Sequence, residues 1–140
     1  MSENRQHEIT SPRKLLDSNG NIAGPGCAKK LLWQYDRKDI KASPLRIKEW
    51  DYYYIGTDEY GVALTLSDSG YVSCLSVSLL GFCGEPFQLN DSELGFFPLG
   101  KLKLPASSER GNCHAKVGTC EMNFNNDGKK RHLFGKYENF

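Results

Sequence analysis

The sequence has no long apolar run and no marked excess of charge of one sign. No segment approaches the roughly 20 consecutive apolar residues that a membrane-spanning helix needs, so no transmembrane segment is predicted. Lys and Arg number 18 and Asp and Glu number 17 in 140 residues, which leaves a net charge of +1. This balance excludes a polycation that coats nucleic acid and an acidic tail protein, and we expect no nucleic-acid partner.

Paired cysteines and an apolar leader are also missing. The five cysteines form no C-x-x-C pair, and an odd number does not fit a secreted disulfide framework. The first residues are polar, so no secretory signal is expected. We therefore predict reduced thiols and a cytoplasmic protein.

The motifs of common cofactor sites are absent as well. The sequence has no P-loop, no dinucleotide fingerprint and no G-x-S-x-G elbow, so we predict no cofactor and can name no catalytic nucleophile. Cys113, His114 and Cys120 lie close together, but a structural zinc site needs four ligands and no second pair is present. Even spacing would place His114 and Cys120 on one strand face and Cys113 on the other. We interpret all three as small strand residues and predict no metal.

What the sequence does contain is the alternation of β strands. Residues 60–67 alternate bulky with small or polar side chains, and residues 71–82 continue this period of two. Residues 50–55 are rich in aromatic and β-prone types. An Asp-Gly turn predicts a hairpin between residues 113–125 and 129–137. About six or seven strands joined by turns predict an all-β fold: an antiparallel meander, barrel or sandwich, with few or short helices.

The rest of the chain carries weaker patterns. Residues 83–95 are expected to be irregular, whereas residues 101–104 and 15–17 predict short strands. The polar residues 1–12 end at a proline and predict a flexible tail, and residues 13–140 predict a single β domain. The last hairpin lacks a closing element, so open strand edges predict a possible homodimer.

The strand that begins at Glu49 carries the main functional candidates. Glu49 and Asp51 share one face, where a pair of carboxylates could serve acid–base chemistry, although a solvated polar face is the interpretation we favour. Trp50, Tyr52 and Tyr54 share the other face. Core packing and the lining of a pocket are both open interpretations for these aromatics.

A basic segment precedes this strand. Residues 29–48 hold seven basic and two acidic residues, together with Trp33 and Tyr35. Basic grooves with stacking aromatics bind single-stranded nucleic acids, but the overall charge argues against that function. We interpret the segment as a surface loop that Trp33 and Tyr35 anchor.

Several of these segments resemble the domain of unknown function family 2804. The likeness covers most of residues 8–125, and its Trp-Asp-Tyr-Tyr core at residues 50–53 is the most specific part. The matching segments are 15–21, 33–40, 46–54, 60–65, 70–72 and 100–105.

The resemblance implies more than the residues alone predict. Members of the family are usually more than twice this length, which implies that residues 13–140 are the N-terminal half of a longer architecture. The family is also distantly similar to lipocalin-like proteins with two β-barrels, among them carotenoid hydratases and tocopherol cyclases. A lipocalin-like β-barrel or partial barrel and an apolar, lipid- or isoprenoid-sized ligand are therefore implied.

Three functional hypotheses follow. The first is a β-barrel module that binds an apolar lipid- or isoprenoid-like ligand against aromatic side chains, with charged residues around the mouth of the site. The second is an enzyme of hydratase or cyclase type acting on an isoprenoid-like substrate, with Glu49 or Asp51 as general acid. The third is a truncated fragment without independent activity. The predicted ligand-binding residues are Trp33, Tyr35, Arg46, Lys48, Glu49, Trp50, Asp51, Tyr52 and Tyr54.

Overall fold

The structure, a computed structural model, describes residues 6–138 and is built almost entirely of β strands. Within this range the only helical elements are two short 3-10 turns, and no helix is long and apolar enough to span a membrane. The strands are β1 (Arg13–Lys14), β2 (Trp33–Gln34), β3 (Glu49–Gly56), β4 (Tyr60–Asp68), β5 (Val72–Gly81), β6 (Phe87–Phe96), β7 (Gly111–Val117), β8 (Cys120–Asn126) and β9 (Arg131–Lys136).

The chain divides into two compact units, one ending at Ala42 and one beginning at Ser43. In the second unit, β3 to β6 form a four-stranded sheet and β7 to β9 form a three-stranded sheet, both in chain order and antiparallel. The prediction of an all-β antiparallel meander with few or short helices is confirmed. The sheets do not close into a barrel within residues 6–138, which corresponds to the partial form of the prediction.

The core of the second unit lies between these two sheets. Alternation turns every second side chain of β4 and β5 to one face, where Leu66 and Leu75 are paired and fully buried. The facing side of the second sheet contributes Met122 and Phe124. The buried cluster consists of Leu64, Leu66, Leu75, Cys113, Ala115, Cys120, Met122 and Phe124.

Strand β7 runs across the four-stranded sheet from one edge to the other. At its start, Cys113 contacts Asp51 on β3. At its end, Val117 lies close to Gly95 on β6, where a Cβ would come within 3.2 Å of the valine. The strands of the two sheets therefore cross steeply, as in orthogonal sheet packing.

The first unit contains the short parallel pair β1 and β2 and a buried Ile9. The Ile9 amide donates to the Cys27 carbonyl at 2.8 Å. Asp17 accepts hydrogen bonds from the amides of Asn19 and Asn21, which forms the turn expected after residues 15–17. The strand itself lies at Arg13–Lys14. A flexible segment over residues 1–12 and a single domain over 13–140 stay predictions.

Three local predictions were wrong. Residues 83–95 are not irregular throughout, because β6 covers Phe87–Phe96. Residues 101–102 form a turn and residues 103–104 are irregular, so no strand forms there. The segment 113–125 is interrupted by a tight turn after Val117, so Cys113 and Cys120 share the core face while His114 points away from it.

Candidate functional site

The aromatic row of β3 lies exposed on the outer face of the four-stranded sheet. Trp50, Tyr52 and Tyr54 are 65%, 57% and 49% exposed. They point away from the core because the alternating residue Tyr53 points into it, with its ring 5.2 Å from that of Phe124 in an edge-to-face contact. This edge strand therefore exposes three large rings on one side.

Small side chains lie beside this row. The pairing of β3, β4, β5 and β6 places Trp50, Ser67, Cys74 and Leu94 in one line across the outer face. In this line and in the two neighbouring lines, the residues of the two central strands, β4 and β5, all have small side chains. These central residues are Ala63, Thr65, Ser67, Cys74, Ser76 and Ser78.

Together these residues form a shallow trough. The aromatic row is one wall. On β6 the opposite wall is formed by Asn90, Ser92 and Leu94, and the exposed Phe96 lies one position beyond them. Three strand spacings separate β3 from β6, or about 14 Å, and the row from Trp50 to Tyr54 is also about 14 Å long. We call this surface the outer trough. Its size suits an elongated small molecule that lies flat against the sheet.

Two glycines support the aromatic wall at one end. A Cβ on Gly61 would come within 2.6 Å of the Tyr54 hydroxyl oxygen, and one on Gly56 within 2.5 Å. The Tyr54 ring therefore lies directly over the backbone of these two residues. Any larger residue there would displace the ring from its position.

Glu49 and Asp51 lie on the inner face of the same strand, opposite the aromatic row. The Cys113 thiol donates to Asp51 Oδ2 at 3.5 Å. Burial raises the pKa of Asp51, and the hydrogen bond from Cys113 offsets part of that rise. The two carboxylates share a face, as their spacing of two on a strand predicts. The backbone of β3 separates them from Trp50.

The buried thiol next to Asp51 is not an activated nucleophile. Burial, together with the negative charge of Asp51, raises the pKa of Cys113 to about 12. A thiol with that pKa remains protonated at neutral pH, whereas nucleophilic cysteines need a depressed pKa. Within residues 6–138 no group of three His, Cys, Asp or Glu side chains is arranged to hold a metal ion.

The four remaining predicted residues are Arg46, Lys48, Trp33 and Tyr35. Arg46 ends the 3-10 turn Pro44–Arg46, and it is exposed, as is Lys48. Trp33 and Tyr35 are half-buried residues of the first unit, where burial raises the pKa of Tyr35. Of the nine predicted residues, the structure thus brings Trp50, Tyr52 and Tyr54 together on one surface.

Sequence reasoning missed a cationic cleft at the start of β9. The cleft has a volume of about 630 Å³. Arg131 donates to the Ser108 carbonyl at 2.5 Å, and its guanidinium carbon lies 6.0 Å from the centre of the Tyr53 ring. The run Lys129-Lys130-Arg131-His132 was the available sequence signal. The lining residues are Ser107, Glu109, Arg110, Asn126, Gly128, Lys129 and Arg131.

The second unit is an antiparallel β structure of two open sheets with an exposed aromatic face. The chain belongs to the family described as Domain of unknown function (DUF2804), whose model matches residues 6–140. The resemblance noted in the sequence is thereby confirmed. Comparison with curated proteins and with solved structures gave no match.

Proposed function

We propose that this chain is a binding module for an apolar, lipid- or isoprenoid-like ligand, and that the ligand lies in the outer trough. The observation that carries the proposal is the exposed row of Trp50, Tyr52 and Tyr54 beside a band of small side chains. Three exposed rings in line are costly in water and are typical of ligand-binding or partner surfaces.

The apolar area of the three rings is large enough to contribute substantially to the free energy of ligand binding. A flat ligand that removes about 100 Å² of each ring from water gains about 2.5 kcal/mol per ring at 25 cal/mol per Å². The three rings together contribute about 7.5 kcal/mol, and the apolar surface that the ligand itself buries adds a comparable amount. The costs of association offset a large part of the total, which leaves affinities in the micromolar range. The hydroxyl groups of Thr65, Ser76 and Ser78 give the trough donors and acceptors for a polar end group, such as an alcohol or a carboxyl.

Catalysis is the second candidate, and the raised pKa of Asp51 favours it. A carboxyl group whose pKa is raised by burial holds its proton more tightly than a solvated one, and this favours a role as a proton donor to a double bond. Asp51 faces the core, however, and its near neighbour is the buried Cys113. A ligand in the outer trough lies on the other side of the sheet from this carboxyl, so binding without chemistry is the function we propose.

The compartment and the charged residues near the site are part of the same proposal. All five cysteines, each within the described residues, are free thiols, which supports a reducing, cytoplasmic location. Of the predicted charged residues, Arg46 and Lys48 precede β3, whereas Glu49 lies on its inner face, away from the outer trough. The roles predicted for Trp33 and Tyr35, which belong to the first unit, stay predictions. The fragment hypothesis differs from this proposal because it predicts no specific ligand.

Cys74 provides a direct probe of the trough. It lies between Ser67 and Leu94 on the outer face, whereas Cys83 is exposed in the loop after β5. We would add geranylgeraniol, an isoprenoid alcohol, to the protein and follow alkylation of each cysteine with iodoacetamide by mass spectrometry. The expected result is slower alkylation of Cys74 and an unchanged rate at Cys83.

Two matched variants complete the experiment. Trp50→Ala should weaken geranylgeraniol binding about tenfold, or about 1.4 kcal/mol, with little change in stability because the ring is mostly exposed. Phe134→Ala removes another exposed ring, 54% exposed against 65% for Trp50, from β9 and should leave binding unchanged. Equal protection of both cysteines, or equal loss in both variants, would contradict the proposal. Glu49→Gln and Asp51→Asn should leave binding intact.

A further inference from the structure

A second apolar surface lies on the inner face of the four-stranded sheet, beyond the area that the three-stranded sheet covers. Ile55, Tyr60, Phe87 and Leu89 each expose about half of their surface. They point to the same side as the core residues Leu64 and Leu66, because they occupy alternating positions of paired strands. We call these four residues the shelf.

The shelf lies next to β9, the last strand of the three-stranded sheet. Arg131 lies over the Tyr53 ring, and Gly135 lies beside Leu64, to which a Cβ would come within 3.8 Å. Strand β9 therefore follows the line of Tyr53 and Leu64 across the sheet. The next line, which contains Ile55 and Leu89, is one repeat of the pleat further along, or about 7 Å.

The edge of β9 towards the shelf carries unpaired backbone groups. Within residues 6–138, β9 pairs with β8 alone. The Asp127 amide donates to the Lys130 carbonyl, and hydrogen-bonded pairs alternate along an antiparallel ladder. The amides and carbonyls of Arg131, Leu133 and Gly135 therefore point to the free edge. A strand added there would have hydrogen-bond partners on one side and the shelf beneath it.

The positive charge of the β9 edge determines which kind of added strand it would accept. Lys129, Lys130, Arg131 and Lys136 are basic, and the acidic residues of the same hairpin are Asp127 and Glu121, the latter paired with Lys136. The cationic cleft at the Arg131 end adds Arg110. A second copy of the chain paired through β9 would bring two basic edges together, which is unfavourable. An acidic strand meets an edge of opposite charge.

We propose that the free edge of β9 and the shelf together bind an extended segment of an acidic partner protein by strand addition. Backbone hydrogen bonds to β9 hold the segment, and its alternate apolar side chains lie on Ile55 and Leu89. Acidic residues at one end of the segment pair with Arg131 and the cationic cleft. This surface is separate from the outer trough, so the inference does not depend on the proposed ligand.

The experiment uses a synthetic peptide of about ten residues, the length of a long strand, that alternates valine with threonine and ends in glutamates. Hydrogen exchange of the full chain is followed by NMR with and without the peptide. We expect slower exchange at the amides of Arg131, Leu133 and Gly135. A peptide with lysines in place of the glutamates should bind about tenfold more weakly, or about 1.4 kcal/mol.

Two residues of β6 give a matched pair of variants. Leu89 is 54% exposed on the shelf, and Leu94 is 55% exposed on the outer trough of the same strand. Leu89→Glu should abolish peptide binding, whereas Leu94→Glu should leave it intact while weakening geranylgeraniol binding. Thermal unfolding checks that both variants fold.

Several results would overturn the proposal. Unchanged exchange along β9 at millimolar peptide would show that the edge accepts no strand. Equal affinity for the acidic and basic peptides would remove the charge argument. A dimer by native mass spectrometry whose β9 amides are already protected would show that a second copy occupies the edge.

Discussion

Asp68 Oδ2 accepts a hydrogen bond from the Gly100 amide at 2.7 Å, although 32 positions separate the two residues. The other carboxylate oxygen accepts from the Gly70 amide at 2.9 Å. Asp68 is completely buried at the end of β4. One side chain therefore fixes both the turn between β4 and β5 and the loop that follows β6.

This loop needs such an anchor because its backbone is strained. Phe97, Leu99 and Lys103 have φ angles of 53°, 51° and 51°, in the left-handed region that side chains other than glycine rarely adopt. Strain of this kind costs on the order of 1 kcal/mol or more per residue and persists only where the surroundings enforce it. The hydrogen bond to Gly100 falls in the middle of the strained segment.

The first prediction concerns this anchor. Asp68→Ala should lower the free energy of unfolding by about 3 kcal/mol, because two amides lose a charged acceptor in a buried position. Asp68→Asn retains one acceptor oxygen and should cost less. Urea unfolding followed by fluorescence measures both changes. The control is Asp58→Asn at an exposed turn position, and a change in Asp68→Ala as small as in this control would contradict the assigned role.

The second prediction compares two phenylalanines on neighbouring strands. Phe124 is 2% exposed and packs edge-to-face on Tyr53, whereas Phe134 is 54% exposed. Phe124→Ala should cost about 3–5 kcal/mol of stability because it leaves a cavity between the sheets. Phe134→Ala should change stability by about 0.5 kcal/mol or less. Similar losses in both variants would mean that the two sheets do not pack through Phe124.

The strands of the core could be predicted from the sequence because one of their faces is buried. In residues 60–67 the bulky side chains alternate with small ones, and this is the pattern that a half-buried strand requires. Strand β6 escaped prediction for the opposite reason. It is an edge strand that is exposed along much of both faces. Its apolar residues also change face, because Phe87 and Leu89 point inward whereas Leu94 and Phe96 point outward, so no single period of two runs through the strand.

The candidate site, like the fold, could be predicted from the sequence only in part. The common face of Trp50, Tyr52 and Tyr54 follows from their spacing of two on a strand. The contact of Asp51 with Cys113 joins residues 62 positions apart and depends on how β7 crosses the other sheet. The floor of the outer trough depends on the register of three strand pairs. Neither property is encoded in a local pattern.

The third prediction concerns pH. Burial raises the pKa of Asp51 above its unfolded value, so the folded protein holds this proton more tightly than the unfolded chain does. The stability that this proton contributes is fully present below the unfolded pKa and is lost as the pH rises through the folded pKa. Asp51→Asn removes the titration but keeps an acceptor for the Cys113 thiol.

The variant should therefore match the native chain in acid and become the more stable of the two as the pH rises from about 3 towards 7, since the unfolded pKa of aspartate is about 3.9. Urea unfolding at a series of pH values measures the difference, and NMR titration of the Asp51 carboxyl carbon measures the pKa directly. Asp58→Asn, at an exposed position, should show no such divergence. A native chain that gained stability relative to Asp51→Asn with rising pH would show that Asp51 is stabilised as the carboxylate, and Asp51 would then lose its support as a proton donor.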